Sequence, residues 1–398
     1  MNTALGAIHG LARDASPCPW DDDLAGYAVH RYSKRQVIDA GKLIATRSPY
    51  ATEELVSAFR LAHDWRGAHI RPLRRVRSDL MAAARTHEFT SVVAARLKRM
   101  QSIRRKLQRR PESLFQLQDI AGARAIMKNM AAVNALLAHF HDGGSRFEVQ
   151  REWDYVANPK VGGYRSAHLR LVCPSDTDDE AYRRLLVEVQ IRTRLQHSWA
   201  TAVEAVGLVR REELKGGEGD ARWLRLFTLM AAEFAVEEGC PLVPEVPEDR
   251  AGRIQELRDV VLELDAIRRL ESMNRAVHEA EQVRGKGDMF YLVQYDSANK
   301  EVRVRSYSRF SRVYEQFFLE ENNTALNTVT VEVDRAEDLR RAYPNYYLDV
   351  QDFTDRLKQL VLPRPKRTPT PAKPSKSGHA SKWAHLSWLR DYPGLKGR

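Results

Sequence analysis

Two carboxylates sit where carboxylates are costly. Asp119 ends a short loop at the entry to an apolar run, Ile120-Ala121-Gly122-Ala123-Arg124-Ala125-Ile126, and Glu188 lies inside another, Val187-Glu188-Val189-Gln190-Ile191. A charge within an apolar strand needs a partner. Two such carboxylates on different strands suit a shared Mg²⁺, which takes oxygen ligands and leaves positions for substrate phosphates. A structural ion pair with one of the many arginines is the alternative. Upstream, Arg96, Lys98, Ser102 and Lys106 fall in an Arg-rich segment that reads as one helix over about 73–108. The last three advance by four residues and share a stripe. Three phosphate-type donors on one stripe suit a triphosphate, and Arg99, Arg105, Arg109 and Arg110 widen the positive field. A solvated basic helix is the bland alternative. Downstream, Asn158-Pro159-Lys160-Val161-Gly162-Gly163-Tyr164-Arg165-Ser166-Ala167-His168 reads as a loop before a strand. It is expected to present Tyr164 outward between Lys160 and Arg165, suited to stacking a base and holding its phosphates. An ordinary hairpin end fits the same residues.

These residues need a scaffold. Helices are expected from Ser33 to Ala45, from Thr52 towards a break near Pro72, and then over the basic segment. Ile120–Ile126 reads as a buried strand and Met130–His141 as an amphipathic helix. Strands follow at 147–149, 166–172 and 185–191, then a helix over 194–209. Interleaving of this kind implies an α/β or α+β domain with a mixed sheet, of which α+β is the expectation. After Gly216-Gly217, residues 220–238 and 249–283 read as helices. The second carries a heptad-like pattern at Ile254, Leu257, Val261, Leu264 and Ile267. From 288 the period switches to two, giving a hairpin turned at 297–300. A helix over 308–320, a strand over 328–334 and a helix over 335–342 complete a small ββαβα unit. Residues 362–380 hold five of the 17 prolines, a linker composition.

The chain has 398 residues, which favours two or three domains. A composition of 43% hydrophobic and 29% charged residues excludes a mainly disordered chain or a membrane bundle. The first 16 residues show no secretory signal, and three scattered cysteines give neither a metal pair nor a disulfide framework. Together these point to the cytoplasm. The net charge is +11, but residues 71–110 alone carry +11 and residues 363–398 carry +8, so the remainder is acidic. Two concentrated basic segments suggest polyanion contacts.

Gln118-Asp119-Ile120-Ala121-Gly122-Ala123-Arg124, Asp154-Tyr155 through His168, and Val187 through Thr193 occur in that order. Together they resemble the synthetase domain of RelA/SpoT-family alarmone synthetases. Arg96-x-Lys98-x₃-Ser102-x₃-Lys106 resembles that family's ATP-binding helix. The resemblance covers roughly residues 75–210. It implies a mixed-sheet, nucleotidyltransferase-like domain with a helical N-terminal flank. The implied activity is transfer of the β,γ-pyrophosphate of ATP to a ribose 3′-hydroxyl. Asp119 and Glu188 match the Mg²⁺ carboxylates, and Glu188 also the group accepting the hydroxyl proton. Arg96 and Arg124 match the pair enclosing adenine, with Lys98, Ser102 and Lys106 on the phosphates. Tyr164 matches the residue stacking the acceptor base, with Lys160, Arg165 and His168 around it and Gln190 and Arg192 completing the strand motif. The isolated pairs His63-Asp64 and His141-Asp142 lack the further histidines of the family's hydrolase domain, so a synthetase-only chain is expected.

Arg194 through Glu204, with Trp65-Arg66-x₂-His69-x₂-Pro72-Leu73, is similar to the toxic small synthetases that modify the 3′ end of tRNA. Ala342-Tyr343-Pro344-Asn345-Tyr346-Tyr347-Leu348-Asp349 resembles the antitoxin region of fused toxin–antitoxin proteins of the CapRel kind. That resemblance implies autoinhibition through Tyr343 and Tyr346, relieved by a phage protein. A helix end whose aromatics cover a small core fits the tyrosines equally. The implied organisation is a helical region (1–74), the pyrophosphokinase domain (75–215), a helical connector (216–285), a regulatory α+β domain (286–361) and a basic tail (362–398). The acceptor is expected to be tRNA, with GDP or GTP as the rival. A catalytically inert RNA-binding module is the reading from another class.

Overall fold

The structure is a computed structural model. It describes residues 32–46, 52–145, 147–172, 182, 185–210, 212–275, 278–282, 290–296, 301–308, 312–313, 316, 326–332, 341 and 350–362. Residues up to Val361 form one compact unit, and Leu362–Arg398 form a second that lies almost wholly outside the described residues.

Three helices lead in. Helix α1 (Lys34–Ala45) starts at Ser33, whose hydroxyl accepts from the Gln36 amide while the Gln36 side chain accepts from the Ser33 amide. Helix α2 (Glu53–Ala68) starts at Thr52, which accepts from the Leu55 amide and is followed by two acidic residues. The break comes at His69 rather than Pro72. Pro72 sits in the first turn of α3 (Ile70–His87), where a missing amide proton costs nothing.

The basic segment is not one helix. Its first part, up to His87, belongs to α3, Val92–Leu97 is strand β1, and Met100–Arg109 is a separate helix (α4). Thr90-Ser91-Val92-Val93 is rich in β-branched residues, which fit a pleated surface better than a helix. The chain continues through β2 (Ala121–Met127), α5 (Met130–His141), β3 (Glu148–Asp154), β4 (Ala167–Val172), β5 (Leu186–Thr193) and α6 (Arg194–Arg210). Helices α7 (Ala221–Glu238), α8 (Arg250–Leu264) and α9 (Ala266–Arg275) follow. The helix expected over 249–283 is thus interrupted at Asp265, which adopts a left-handed conformation (φ 48°), and its last part is strand β6 (His278–Gln282). Strands β7 (Phe290–Asp296), β8 (Glu301–Tyr307) and β9 (Leu326–Glu332) and helix α10 (Gln351–Val361) complete the described elements. Helix α10 was not legible in the sequence. The turn at 297–300, most of the helix at 308–320 and all but Arg341 of the helix at 335–342 lie outside the described residues, as do Tyr343 and Tyr346.

The nine strands among the described residues join one mixed sheet, in the order β3-β4-β5-β2-β1-β9-β7-β8-β6. Pairs β2–β5 and β6–β8 are parallel; the rest are antiparallel. The mixed α+β expectation is therefore met. The sheet passes from the motif-bearing strands into the C-terminal ones through the Ala95–Glu332 pair of β1 and β9.

Alternation divides the faces. Ala121, Ala123, Ala125, Leu169, Leu171, Val187, Val189 and Ile191 pack under α3 and α5, together with Phe290 and Leu292 from β7. On the other face Val92, Ala94 and Ile126 meet α6, α7 and α8, together with Tyr291, Val293 and Val331 and with Phe353 and Leu357 of α10. A third cluster joins α1, α2 and α4 around Trp65. Each large side chain fully buried contributes about 1.5–3 kcal/mol. A chain ending at 285 loses Phe290, Tyr291, Leu292, Val293, Val331, Phe353 and Leu357 from the two sheet cores. It is expected to lose cooperative thermal unfolding and to bind a hydrophobic dye, rather than to remain folded as a shortened enzyme; a sharp calorimetric transition for that fragment would contradict the shared-core description.

Among the described residues no helix is long and apolar enough to cross a membrane.

Candidate functional site

The polar face of the sheet carries the chemistry. On β5, Glu188, Gln190 and Arg192 point away from the α3/α5 core because Val187, Val189 and Ile191 point into it. Register aligns the rest. Arg96 pairs with Gly122, Gly122 with Glu188, and Glu188 with Arg170, forming one row across β1, β2, β5 and β4. The next row is Ala94, Arg124, Gln190 and His168. Gly122 keeps the floor between Arg96 and Glu188 low; a Cβ there would have only the Arg96 carbonyl within 4.0 Å.

Asp119 precedes β2 at one end of the rows. Its Oδ2 accepts from Lys98 Nζ at 2.6 Å and its Oδ1 from Lys106 Nζ at 3.1 Å. Lys98 reaches it from the turn between β1 and α4, where its amide donates to the Ile120 carbonyl at 2.7 Å. Lys106 reaches it from α4, with Ser102 half-buried one turn before. The stripe thus holds for Ser102 and Lys106, while Lys98 joins them from the preceding turn and Arg96 from the strand. Burial raises the Asp119 carboxyl pKa, but the two ammonium groups outweigh it and hold it at about 2, against 3.8 normally. Burial, together with Arg96 and Lys106, lowers the Lys98 pKa despite Asp119.

A depressed carboxyl adds stability above its unfolded value and loses it as pH falls through the folded one. The difference in unfolding free energy between the protein and Asp119→Asn is therefore expected to shrink by about 2 kcal/mol between pH 5 and pH 2. Urea unfolding at those pH values checks this; a constant difference would show that the lysines do not hold Asp119 ionised.

Glu188 is the second centre. Its Oε1 lies 3.0 Å from His168 Nδ1, and its Oε2 accepts from Gln190 Nε2 at 2.9 Å. His168 Nε2 lies 2.8 Å from the Tyr164 hydroxyl. Burial raises the Glu188 pKa, the bonded His168 more than compensates, and the charge of Asp119 acts on it in the opposite sense. In the chain Asp119 lies three residues before Gly122, the residue that pairs with Glu188 across β2 and β5. Burial lowers the His168 pKa, but Tyr164 and Glu188 raise it overall. For Tyr164, burial raises the pKa, but His168, Lys215 and Arg192 bring it down to about 7.

Tyr164 departs from expectation. It is 3% exposed and belongs to the core beneath α6 and α7. The loop is clamped there. Gly163 has φ 94°, and a Cβ on it would come within 2.3 Å of the Ala231 Cβ on α7. Arg165 is buried and donates to the carbonyls of Gly163 (3.3 Å), Ala231 (3.2 Å) and Pro241 (2.5 Å). Its guanidinium serves loop backbone and α7 rather than an open acceptor pocket. Lys160 does stay at the site, with Nζ 4.1 Å from the Tyr155 ring centre and 5.3 Å from that of Tyr164.

Sequence reasoning gave no role to Glu204, Lys215 or His197. Lys215 bonds Glu204 at 2.5 Å and lies 5.1 Å from the Tyr164 ring centre. Burial raises the Glu204 pKa, but Lys215, Arg124 and Arg192 hold it at about 2. His197 bonds the buried Arg192, and its Nε2 lies 2.9 Å from the Arg341 carbonyl. Burial and the cations Arg192 and Arg124 push its pKa well below the usual histidine value. The Glu204 position, a carboxylate on an otherwise apolar helix stretch, was the available signal. The paired dipeptides have local partners: Asp64 accepts from Tyr32, His63 meets Arg66, and His141 pairs with Glu152.

Both carboxylates supply hard oxygen donors at one end of the sheet, and each oxygen has a single hydrogen-bond partner among the described residues, leaving a lone pair. That donor set fits a divalent cation sharing its sphere with phosphate oxygens. Among the described residues no cluster of three His, Cys, Asp or Glu side chains forms a protein-only cage.

Comparison with known proteins covers this same region. Residues 95–207 match the family model described as the region found in RelA / SpoT proteins. A GTP pyrophosphokinase YjbM of Bacillus subtilis (strain 168) is 35% identical over 121 residues, which are 29% of this chain and 55% of that protein. A probable chloroplastic GTP diphosphokinase CRSH of Arabidopsis thaliana is 29% identical over 174 residues, 41% of this chain and 28% of that one. The chain thus spans about half the length of the first relative and less of the second. The crystal structure of the small alarmone synthetase 1 from Bacillus subtilis aligns with 53% of this chain and 100% of its own, at 21% identity and TM-score 0.37. A GTP pyrophosphokinase family protein from Streptococcus pneumoniae aligns with 55% and 98%, at 22% identity and TM-score 0.38. The segment that positions Arg96, Asp119, His168 and Glu188 is therefore a RelA/SpoT-family region, occupying residues 95–207 of the chain.

Proposed function

We propose that the chain is an ATP-dependent pyrophosphokinase that transfers the β,γ-pyrophosphate of ATP to a ribose 3′-hydroxyl. The observation that carries this is the juxtaposition of two differently held carboxylates. Asp119 is bound by two lysines, and Glu188 by His168 and Gln190. Phosphoryl-type transfer needs positioning and charge neutralisation more than covalent chemistry.

Lys98, Lys106 and Ser102 would take the ATP phosphates, and Arg96 and Arg124 would flank the adenine. Triphosphate binding would draw the lysines from Asp119 and free its oxygens. Asp119 and Glu188 would then hold Mg²⁺, which neutralises charge developing on the phosphates. Glu188 takes the proton of the acceptor hydroxyl as that oxygen bonds to the β-phosphorus. The bond from the β-phosphorus to the oxygen of the α-phosphate breaks, and its electron pair leaves with AMP. Gln190 Oε1 is buried with no bonding partner among the described residues, so it can accept from the acceptor nucleotide.

The acceptor in this proposal is the 3′ end of tRNA, favoured by the two basic segments. GDP or GTP is the second reading, favoured by the names of the relatives. The proposal includes control by residues 286–361 through Tyr343 and Tyr346, released by a phage protein. Its support is that Arg341, two residues before Tyr343, meets His197 through its carbonyl and donates to the Thr90 carbonyl at 3.2 Å.

The full chain incubated with γ-³²P-ATP and Mg²⁺, with deacylated tRNA or GDP/GTP, decides the acceptor. Label on tRNA supports the first reading, and label on a guanine nucleotide alone the second. No label under either condition, with or without Tyr346→Ala, would leave the inert RNA-binding module.

A further inference from the structure

The Trp65-Arg66-x₂-His69 motif lies at the end of α2, outside the matched residues 95–207, yet it reaches the donor site. Arg66 is 0% exposed. A guanidinium buried that deeply is costly unless its donors are met. One terminal nitrogen donates to the Lys98 carbonyl at 3.4 Å, and the other to His63 Nδ1 at 2.9 Å. Burial and the charge of Arg66 push the His63 pKa well below the usual histidine value, so the ring stays neutral and accepts from the arginine. The Lys98 backbone is thus gripped on both sides. Its amide donates to the Ile120 carbonyl at 2.7 Å, and its carbonyl accepts from Arg66. The turn has no side-chain cap of its own, since Arg99 opens α4 without one.

The apolar side of α2 carries the rest of the donor side. Ala58, Ala62 and Trp65 share a core with Met100, Ile103 and Leu107 of α4 and with Ile120, the neighbour of Asp119. Trp65 also lies against Phe115, with 5.4 Å between ring centres and 25° between planes. Packing on α2 therefore supports the helix that bears Ser102 and Lys106, and one polar contact supports Lys98.

We infer that Arg66 is a positioning residue for the donor nucleotide, fixing the Lys98 backbone so that the Lys98 ammonium meets the triphosphate of ATP. This rests on the pyrophosphokinase reading, and it brings the N-terminal helices into the ATP site. With its backbone held from two elements, Lys98 exchanges Asp119 for phosphate by moving its side chain alone. A backbone ordered beforehand spares that cost on binding.

Arg66→Met keeps a long apolar stem and removes both donors. Equilibrium dialysis of the full chain with labelled ATP and with labelled AMP, each without acceptor, reads the effect. The Kd for ATP should rise about tenfold and that for AMP should stay within about twofold, because AMP lacks the β- and γ-phosphates. In Lys98→Met, adding Arg66→Met should weaken ATP binding by no more than about twofold further. An ATP Kd for Arg66→Met within twofold of the parent overturns the inference. An equal loss for both nucleotides overturns it too, since that marks a structural role only, as do losses that multiply in the double variant. Where Arg66→Met loses cooperative unfolding, Arg66→Lys takes its place. It retains the buried charge, but one ammonium lacks the fork that spans His63 and the Lys98 carbonyl. A loss of ATP affinity of at least about threefold, with AMP unchanged, is expected from it, and undiminished ATP binding overturns the inference. A parent that binds no ATP fails the donor-site reading itself, and this inference with it. A parent that binds ATP no more tightly than Arg66→Met does fails this inference alone.

Discussion

Glu188→Gln is expected to lower pyrophosphate transfer by about a thousandfold while leaving ATP binding within a few-fold of the parent. The substitution keeps size and shape. It removes the charge that accepts the hydroxyl proton and pairs with His168 at 3.0 Å. It also places an amide N–H₂ among groups arranged as donors, His168 on one side and Gln190 on the other. The lysine-bound end of the site is untouched, because Lys98 and Lys106 contact Asp119 and not Glu188. Single-turnover transfer and equilibrium dialysis with labelled ATP separate the two effects. Transfer within tenfold of the parent would remove Glu188 from the chemistry, and lost ATP binding would move it to the donor site.

The second large effect concerns the helices above the acceptor loop. Glu233 on α7 is 4% exposed and accepts from Arg253 at 2.8 Å and from Arg250 at 3.0 Å. Arg253 is 3% exposed and also donates to the carbonyls of Pro247 and Glu248, at 2.9 and 2.6 Å. Arg253→Ala would leave a buried carboxylate facing one largely exposed arginine, and two carbonyls would lose their donor. The expected cost is about 3–5 kcal/mol. Replacing the pair together, as Glu233→Leu with Arg253→Met, should cost much less, since no uncompensated charge remains. Chemical denaturation of both variants tests this. A loss below about 1 kcal/mol for Arg253→Ala would mean that the helices relax around Glu233.

That pair lies one short step from the site. Ala231 is two residues before Glu233, and its carbonyl accepts from Arg165 while its methyl abuts Gly163. Loosening α7 should therefore reach the loop that carries Tyr164.

The chemistry-bearing strands were readable because burial leaves a plain mark. Ile120–Ile126 and Val187–Ile191 are apolar at every second position, and the polar residues between them are the ones on the open face. Helix starts at Ser33 and Thr52 were readable because capping is local. The Arg96–Lys106 stripe was misread because basic residues satisfy a helical spacing wherever they are dense. The Val92-Val93 pair was the contrary signal. The break at Asp265 was hidden because the heptad-like apolar positions run through it. Tyr164 was misjudged for a different reason. A Gly-Gly-Tyr turn gives no hint of which distant helix will lie on it, and α7 begins 57 residues later. Lys215 meets Glu204 from a short turn that Gly217 ends in a left-handed conformation, a geometry that the sequence spacing does not reveal.

The contact between Gly163 and Ala231 limits how this protein can vary. The loop position has no side chain and the helix position has one methyl, and an added Cβ on the first would lie 2.3 Å from the second. Neither position can grow alone. A lineage that enlarges residue 231 must first let the loop retreat, and one that gains a side chain at 163 must shift the helix. The two positions are thus expected to change together or stay small together across descendants that keep this helix over the loop. Where the helix has been lost, position 163 should answer only to its backbone angle.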